Sequence, residues 1–250
     1  MRERSNSNVV ATVEARMGST RLPGKVLLPA LGKPMLYHLV HRLKHVNEID
    51  NIILATTTNP EDDVLEDFAK QNNILCYRGS QHNVMLRVIE AAKFANADVI
   101  VEITGDCPVI DPEIIAQTIN IFYSNQYEYV SNVHVRSYPD GMDVQVFALE
   151  TLQKSFHLTN NPLDLEHVTL HIRNNPSIFT HLNVFAPPRL YMPELGLTVD
   201  ELDDYLLLKL IIESLAPQKQ YFSCYDILRL LNQNKSFFNI NSHVIRKKNT

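Results

Sequence analysis

The order of its apolar runs constrains this chain most. From residue 8 onward, short β-rich runs alternate with segments of helical spacing. NVVATVE (8–14) is followed by a helical pattern over 35–46. NIILATT (51–57) is followed by a helix that opens on Pro60 and runs through EDDVLEDFAK. A short strand at 74–77 precedes a helix over 84–95, and ADVIVEI (97–103) precedes a helix over 112–123. Proline and acidic residues in a first helical turn suit a helix N-terminus. Strands that are apolar throughout, each followed by a helix, are buried on both faces. The alternation therefore predicts an α/β fold with a mostly parallel central sheet. In such sheets ligands bind beyond the carboxyl ends of the strands.

The second half is less regular. Strands are expected over 129–135 and 142–147 around a turn containing Pro139, Asp140 and Gly141. A helix is expected over 163–173, a strand over 177–185 and a helix over 201–215. There is no internal repeat and no Gly/Ser-rich linker, so residues 1–250 read as a single domain whose second half adds a substrate lobe.

With 250 residues, 45% of them hydrophobic, the chain can bury a core of that size. A net charge of −5 argues against a general nucleic-acid binder. The charge is uneven. Residues 1–47 hold eight Lys/Arg against Glu3 and Glu14, a net +6, which leaves the other 203 residues at −11. A basic start on an acidic body suggests a local anion site, with Arg42 and Lys44 read as merely solvated. Cys76, Cys107 and Cys224 form no CxxC, so neither a disulfide framework nor a thiolate zinc site is expected. No signal core is visible, and YLLLKLIIESLA is broken by Lys209 and Glu213. A soluble, cytoplasmic protein without membrane contact is expected.

Chemistry concentrates in three segments. The first, ARMGSTRLPGKVLLPALGK (15–33), leaves the opening strand directly. It offers backbone amides near Gly18, hydroxyls at Ser19 and Thr20, and cations at Arg16, Arg21 and Lys25, which is what a triphosphate requires. It is not a Walker A loop, because five residues separate Gly18 from Gly24 and Val26 follows Lys25. The second, TGDCP (104–108), ends the ADVIVEI strand. Asp111 is the better cap for the following helix, which frees Asp106 to hold Mg²⁺ beside phosphates. The third, LTVD (197–200), offers Asp200 as a second metal ligand or as a helix cap. His167 and His171 stand i, i+4 on the expected helix, a zinc-compatible spacing with no third ligand in view.

The blocks ARMGSTRLPGK, YRGSQHNVMLRVIEAA, ITGDCPVIDPEII, YPDGMDVQVF, EHVTLHIRNNP and LTVD, in this order, resemble the cytidylyltransferase-like spore coat polysaccharide biosynthesis protein F family. That family is related to the acylneuraminate and 3-deoxy-manno-octulosonate cytidylyltransferases. The resemblance covers roughly residues 8–240. It implies a Rossmann-like, glycosyltransferase-A type nucleotidyltransferase with a nucleotide-binding half (8–125) and a sugar-binding half (126–240). It also implies a Mg²⁺-dependent reaction of CTP with a sugar, expected to be a sugar acid, releasing pyrophosphate for polysaccharide or glycan synthesis.

Carried over by position, the resemblance sets Arg16, Ser19 and Lys25 on the phosphates, with Arg21 beside them. Ala15 and Arg16, with Arg78, Gly79 and Ser80, fall where the base and ribose are held. Asp106 and Asp200 match the metal-binding aspartates. Asp140 and Asp143 fall near the sugar, and Glu166 and His167 in a block facing the acceptor. Arg16, Lys25 and Asp106 are the expected catalytic residues. Glu14 stands where relatives have Gln, and ELDD replaces TPED after LTVD. Relatives also imply a homodimer formed through the second-half lobe. Two rival readings share these elements: an A-type glycosyltransferase using a nucleotide-sugar, and a non-catalytic nucleotide-sensing protein.

Overall fold

The computed structural model describes residue 4 and residues 7–246. Arg2 and Glu3, counted in the N-terminal charge balance, lie outside the described residues. The first half runs β1 (Val9–Glu14), a small ribbon of β2 (Pro29–Ala30) and β3 (Lys33–Pro34), α1 (Met35–Leu43), β4 (Asn51–Thr57), α2 (Asp63–Gln71), β5 (Leu75–Gly79), α3 (Val84–Phe94), β6 (Val99–Thr104) and α4 (Pro112–Ser124). The second half adds β7 (Tyr129–Ser131), β8 (Gln145–Ala148), α5 (Leu149–Leu158), α6 (Pro162–Glu166), α7 (Leu170–Asn174), β9 (His181–Asn183), α8 (Leu202–Leu215), α9 (Cys224–Gln233) and α10 (Lys235–Phe238).

Seven strands form one sheet in the order β5-β4-β1-β6-β8-β7-β9. Strands β5, β4, β1 and β6 are mutually parallel, and β8 runs antiparallel to both β6 and β7. The mostly parallel sheet expected from the alternation is therefore present. Its apolar strands serve two cores. Val9, Ala11 and Val13 face one, with Leu39 of α1, Leu65 of α2, Ile115 of α4 and Leu208 of α8. Val10 faces the other, with Val88 of α3, Leu152 of α5 and Ile172 of α7. Successive residues of a strand point to opposite faces, so β1 is covered on both, by Val9, Ala11 and Val13 on one and by Val10 and buried Thr12 on the other.

From β1 the chain steps outward to β4 and β5, then returns to place β6 on the other side of β1. The strand order reverses between β1 and β6, and the crevice beyond their carboxyl ends is where such folds bind ligands. Glu14 and Thr104 are paired as the last residues of these two strands.

Several sequence expectations need correction. The helix expected over 163–173 is two short helices, separated where Val168 adopts φ 40° while buried at 2% exposure. A β-branched residue rarely adopts this conformation; here it turns the chain so that Val168 packs inward with α3 and α5 residues. The strand expected over 129–135 stops at Ser131. Asn132 N still donates to Val144 O at 3.3 Å, but its side chain accepts from Val144 N at 2.8 Å and donates to Met142 O at 2.6 Å, taking the place of the ladder's return bond. The strands expected over 142–147 and 177–185 are likewise confined to Gln145–Ala148 and His181–Asn183. Arg42 is not a solvated cation. It is 3% exposed, donates to the carbonyls of Ile110 and Phe222, and lies 4.0 Å from the centre of the Phe222 ring. Burial lowers its pKa to about 10. Lys44 is exposed, as expected, with its ammonium on the carbonyl of Asn72.

Candidate active site at the sheet switch point

A cavity of about 310 Å³ opens where the strand order reverses. One wall is the chain leaving β1, with Ala15, Arg16, Ser19, Arg21 and Lys25. The other is the chain leaving β6, with Thr104, Gly105 and Asp106. The two walls are locked together at the backbone, where Gly105 N donates to Glu14 O at 2.8 Å.

The loop after β1 is fixed by its own backbone. Met17 O accepts from Ser19 N at 2.8 Å and from Gly24 N at 2.9 Å. Met17 N donates to Asp62 Oδ1 at 2.7 Å, and the other carboxylate oxygen of this fully buried aspartate accepts from Thr57 Oγ1. Gly24 then takes φ 70°, a conformation that favours glycine, and starts the short 3-10 helix Lys25–Leu27. Lys25 is thereby aimed across the cavity.

Its ammonium sits 2.8 Å from Asp106 Oδ2 and 3.0 Å from Asp200 Oδ1. Arg21 reaches the same Asp200 oxygen at 2.7 Å. Burial works against the Lys25 charge, but the two carboxylates outweigh it and hold its pKa above the ordinary lysine value. Burial likewise disfavours ionised Asp200, and Lys25, Arg21 and Arg246 overcome this and hold its pKa down. The cationic loop and the acidic edge, 81 and 175 residues apart in sequence, thus form one cluster.

The helix-cap alternative for Asp200 is excluded by geometry. Glu201 is the cap of α8, in a capping box with Asp204. Asp111 caps α4, accepting from Glu113 N at 3.0 Å, which leaves the Asp106 carboxylate to the cavity. Two hard oxygen donors converging on one cationic point make a donor set that Mg²⁺ accepts, since it takes one or two carboxylates and completes its shell with phosphate oxygens and water. Among the described residues no group of three or more His, Cys, Asp or Glu could hold a metal on its own.

The remaining sequence candidates divide. Glu166 and His167 line this cavity from the end of α6. Asp140 and Asp143 line a second, larger cavity. Arg78, Gly79, Ser80 and Gly18 are not among the residues lining the first. Arg78 is tied to Asp63 at 2.7 Å, to Glu66 at 3.2 Å and to the carbonyls of Thr57 and Asn59. Ser80 touches the site through Arg87, which donates to its carbonyl at 2.5 Å. His171 does not share a helix with His167. It is buried and bonds Ser155 Oγ at 3.0 Å.

Arg87 is a charged residue lining the cavity that was not expected there. It lies on α3 and is 3% exposed among Val84, Met85 and Val88. A charge on an apolar helix face was the signal. Thr104 lines both cavities. Glu14, at the cavity wall, interacts with Glu102 on the same face of the sheet. Burial raises the pKa of Glu14 and drives that of Glu102 well above the carboxylate range, with the charge of Glu14 adding to the latter.

The cytidylyltransferase family model matches residues 10–240. The spore coat polysaccharide biosynthesis protein SpsF of Bacillus subtilis is 30% identical over 238 residues, covering 91% of this chain and 95% of that one. A 3-deoxy-manno-octulosonate cytidylyltransferase of Trichlorobacter lovleyi is 35% identical over 118 residues, covering 47% of this chain and 46% of that protein. The solved structure of a cytidylyltransferase from Leptospira borgpetersenii is 32% identical and superposes with a TM-score of 0.89, covering 97% of this chain and all of that one. A CMP:2-keto-3-deoxy-manno-octonic acid synthetase complexed with CTP, at 18% identity and TM-score 0.63, shares the fold over 83% of this chain and 99% of its own.

Proposed function

Because the chain belongs to the cytidylyltransferase family, we propose that it transfers the cytidylyl group of CTP to a sugar hydroxyl, giving a CMP-sugar and pyrophosphate. The acceptor in this reading is a sugar acid, and the product feeds surface polysaccharide or glycan synthesis. The names of the related proteins support both points. One observation carries the proposal: Lys25, Asp106 and Asp200 meet within hydrogen-bond distance at the carboxyl ends of β1 and β6.

The sugar oxygen attacks the α-phosphorus. The bond from that phosphorus to the bridging oxygen of pyrophosphate breaks in line, and the hydroxyl proton passes to solvent. Positioning and charge neutralisation do most of the work in such a transfer. Arg16, Ser19 and Lys25 would hold the phosphates, with Arg21 beside them, against the rigid turn around Met17. Ala15 and Arg16 would meet the base and ribose. The ammonium of Lys25 is held charged by its carboxylate neighbours, so it reaches the triphosphate already cationic. Asp106 and Asp200 would hold Mg²⁺, which when bound supplies neutralising charge at the phosphate oxygens.

Lys25→Ala and Asp106→Ala are each expected to lower CTP-dependent pyrophosphate release by at least about 10²-fold, the usual effect of removing one preorganised contact to developing charge. The assay runs each purified variant with the four nucleoside triphosphates and a panel of sugar acids. Near-normal release by either variant would overturn its role, and release with a triphosphate other than CTP alone would overturn the nucleotide assignment.

A further inference from the structure

The second cavity, of about 850 Å³, lies beside the first and shares Thr104 with it. It is within the size range of small-molecule sites. Its arginines differ in how they are engaged. Arg136 grips Asp143 with both terminal nitrogens, at 2.9 and 2.8 Å, and reaches Asp140 at 3.2 Å. Arg246 is held at 2.6 Å by Asp204, which is fully buried. Arg173, on the last turn of α7, has no ion-pair partner among the described residues, and its Nε is buried without a hydrogen-bond acceptor.

Glu102, which lines the same cavity, feels the charge of Arg173. It is 3% exposed, accepts a hydrogen bond from Gln145, and sits against a second carboxyl, Glu14. Burial first, and the charge of Glu14 second, push Glu102 toward its neutral form. Arg173 therefore stands at the wall of a polar cavity without a counter-charge of its own. A partly buried guanidinium left this way is unfavourable until an anion arrives.

We propose that Arg173 receives the carboxylate of an acid sugar in this cavity and so sets the preference for an acid over a neutral acceptor. This rests on the reading of the chain as a sugar-activating cytidylyltransferase. The planar fork of a guanidinium matches a carboxylate in two parallel hydrogen bonds. The charge count, with Asp140, Asp143 and Glu194 also lining the cavity, favours a singly charged carboxylate over a phosphate. A phosphate dianion calls for more than one uncommitted cation, whereas Arg136 and Arg246 are already paired and Arg173 offers a single charge. The break at Val168 is what separates the two functions. Glu166 and His167 on one side of it line the nucleotide cavity, and Arg173 and Asn174 on the other side line this one.

The test is titration calorimetry of the full-length protein with 3-deoxy-manno-octulosonate and N-acetylneuraminate, each beside its neutral amide, and with a neutral hexose phosphate. The wild type is expected to bind at least one acid about 10- to 100-fold more tightly than its amide, the range for a charged hydrogen-bonded contact. Arg173→Met should abolish that preference while leaving the KM for CTP unchanged, and Arg173→Lys should restore part of it. Equal binding of acids and amides, failure of every acid to bind, tighter binding of the sugar phosphate, or an Arg173→Met protein that keeps the preference would each overturn the inference. Absence of pyrophosphate release from CTP with every sugar would instead overturn the proposed reaction, and the calorimetry reads Arg173 independently of it.

Discussion

A methyl group on Gly105 would stand 2.5 Å from the carbonyl oxygen of Glu14 and 2.9 Å from Ala15 Cβ. Neither neighbour can yield, because Glu14 ends β1 and Ala15 follows it directly, and Glu14 O is already the acceptor for Gly105 N. The glycine is required by close approach and not by its backbone angles. Gly105→Ala must part the ends of β1 and β6, and Asp106 moves with β6. We expect a stability loss of about 1–3 kcal/mol, as for other overpacked sites, read by urea denaturation. Displacing Asp106 should also lower kcat for pyrophosphate release by at least about 10²-fold, since misplacement of about 1 Å at a reacting centre has that effect. An alanine variant with wild-type stability and turnover would show that the two strand ends can separate without disturbing the cluster.

The acidic start of α8 holds two roles that mutation separates. Asp204 is fully buried and accepts from Asp200 N at 3.2 Å, Glu201 N at 3.0 Å, Asn241 Nδ2 at 2.8 Å and Arg246 Nη2 at 2.6 Å. Asp200, one turn earlier, faces Lys25. Asp204→Ala removes a cap and strands Arg246, and should lower stability by about 2–3 kcal/mol, a fall in Tm of roughly 4–12 °C. Asp200→Ala should leave Tm little changed and remove turnover. Equal thermal losses in the two variants would merge the roles. The first-half strands of the main sheet, their helices and the loop after β1 were legible because apolar runs and glycine, proline and charge signals agreed locally; the two-residue strands β2 and β3 were not. Nor were elements fixed by tertiary contacts. Helix α5 starts at Ala148 without any side-chain cap, so nothing marks its start. Helix α9 is different: it carries both a capping box, Ser223 with Asp226, and buried Cys224, Ile227, Leu228 and Leu231 at i, i+3, i+4 and i+7, so its local signals were present although the sequence expectations omit it. The break at Val168 has no local signal at all, since only the burial of that side chain against distant helices explains it. The same divide runs through the site: Lys25, Asp106 and Asp200 stand beside local glycine, proline and charge signals, whereas Arg87 and Arg173, although inside the blocks YRGSQHNVMLRVIEAA and EHVTLHIRNNP, acquire their meaning from neighbours far along the chain.

Across the whole molecule, one topological fact governs both cavities. Reversal of strand order at β1 and β6 leaves an opening at their carboxyl ends, and their two glutamates, Glu14 and Glu102, sit beneath it on one face of the sheet. Burial raises the pKa of each, and Asp140, in the second cavity, is pushed by burial and then by Asp143 to about 6. A carboxyl whose pKa is higher folded than unfolded keeps its proton in the native state after the unfolded chain has lost it. Raising the pH from the ordinary carboxylate value to the folded value then favours unfolding. Asp200 and Asp226, whose pKa values are lowered by their cationic partners and, for Asp226, by hydrogen bonds from Ser223, act in the opposite sense and only at acid pH. Glu14, Glu102 and Asp140 should therefore cost stability as the pH rises from about 4.5, while His38, His41 and His181, whose pKa values burial lowers, favour the native state as the pH rises toward 6.5. Glu102→Gln keeps an acceptor for Gln145 and removes the proton that the pair must shed. Its amide also favours an ionised Glu14. The variant's Tm should exceed that of the wild type by a margin that widens between pH 5 and pH 8, measured by thermal denaturation at low and moderate salt. Parallel Tm–pH curves for the two proteins would mean that Glu102 is ionised in the native state, and that the charge of Arg173 is already answered from within the fold.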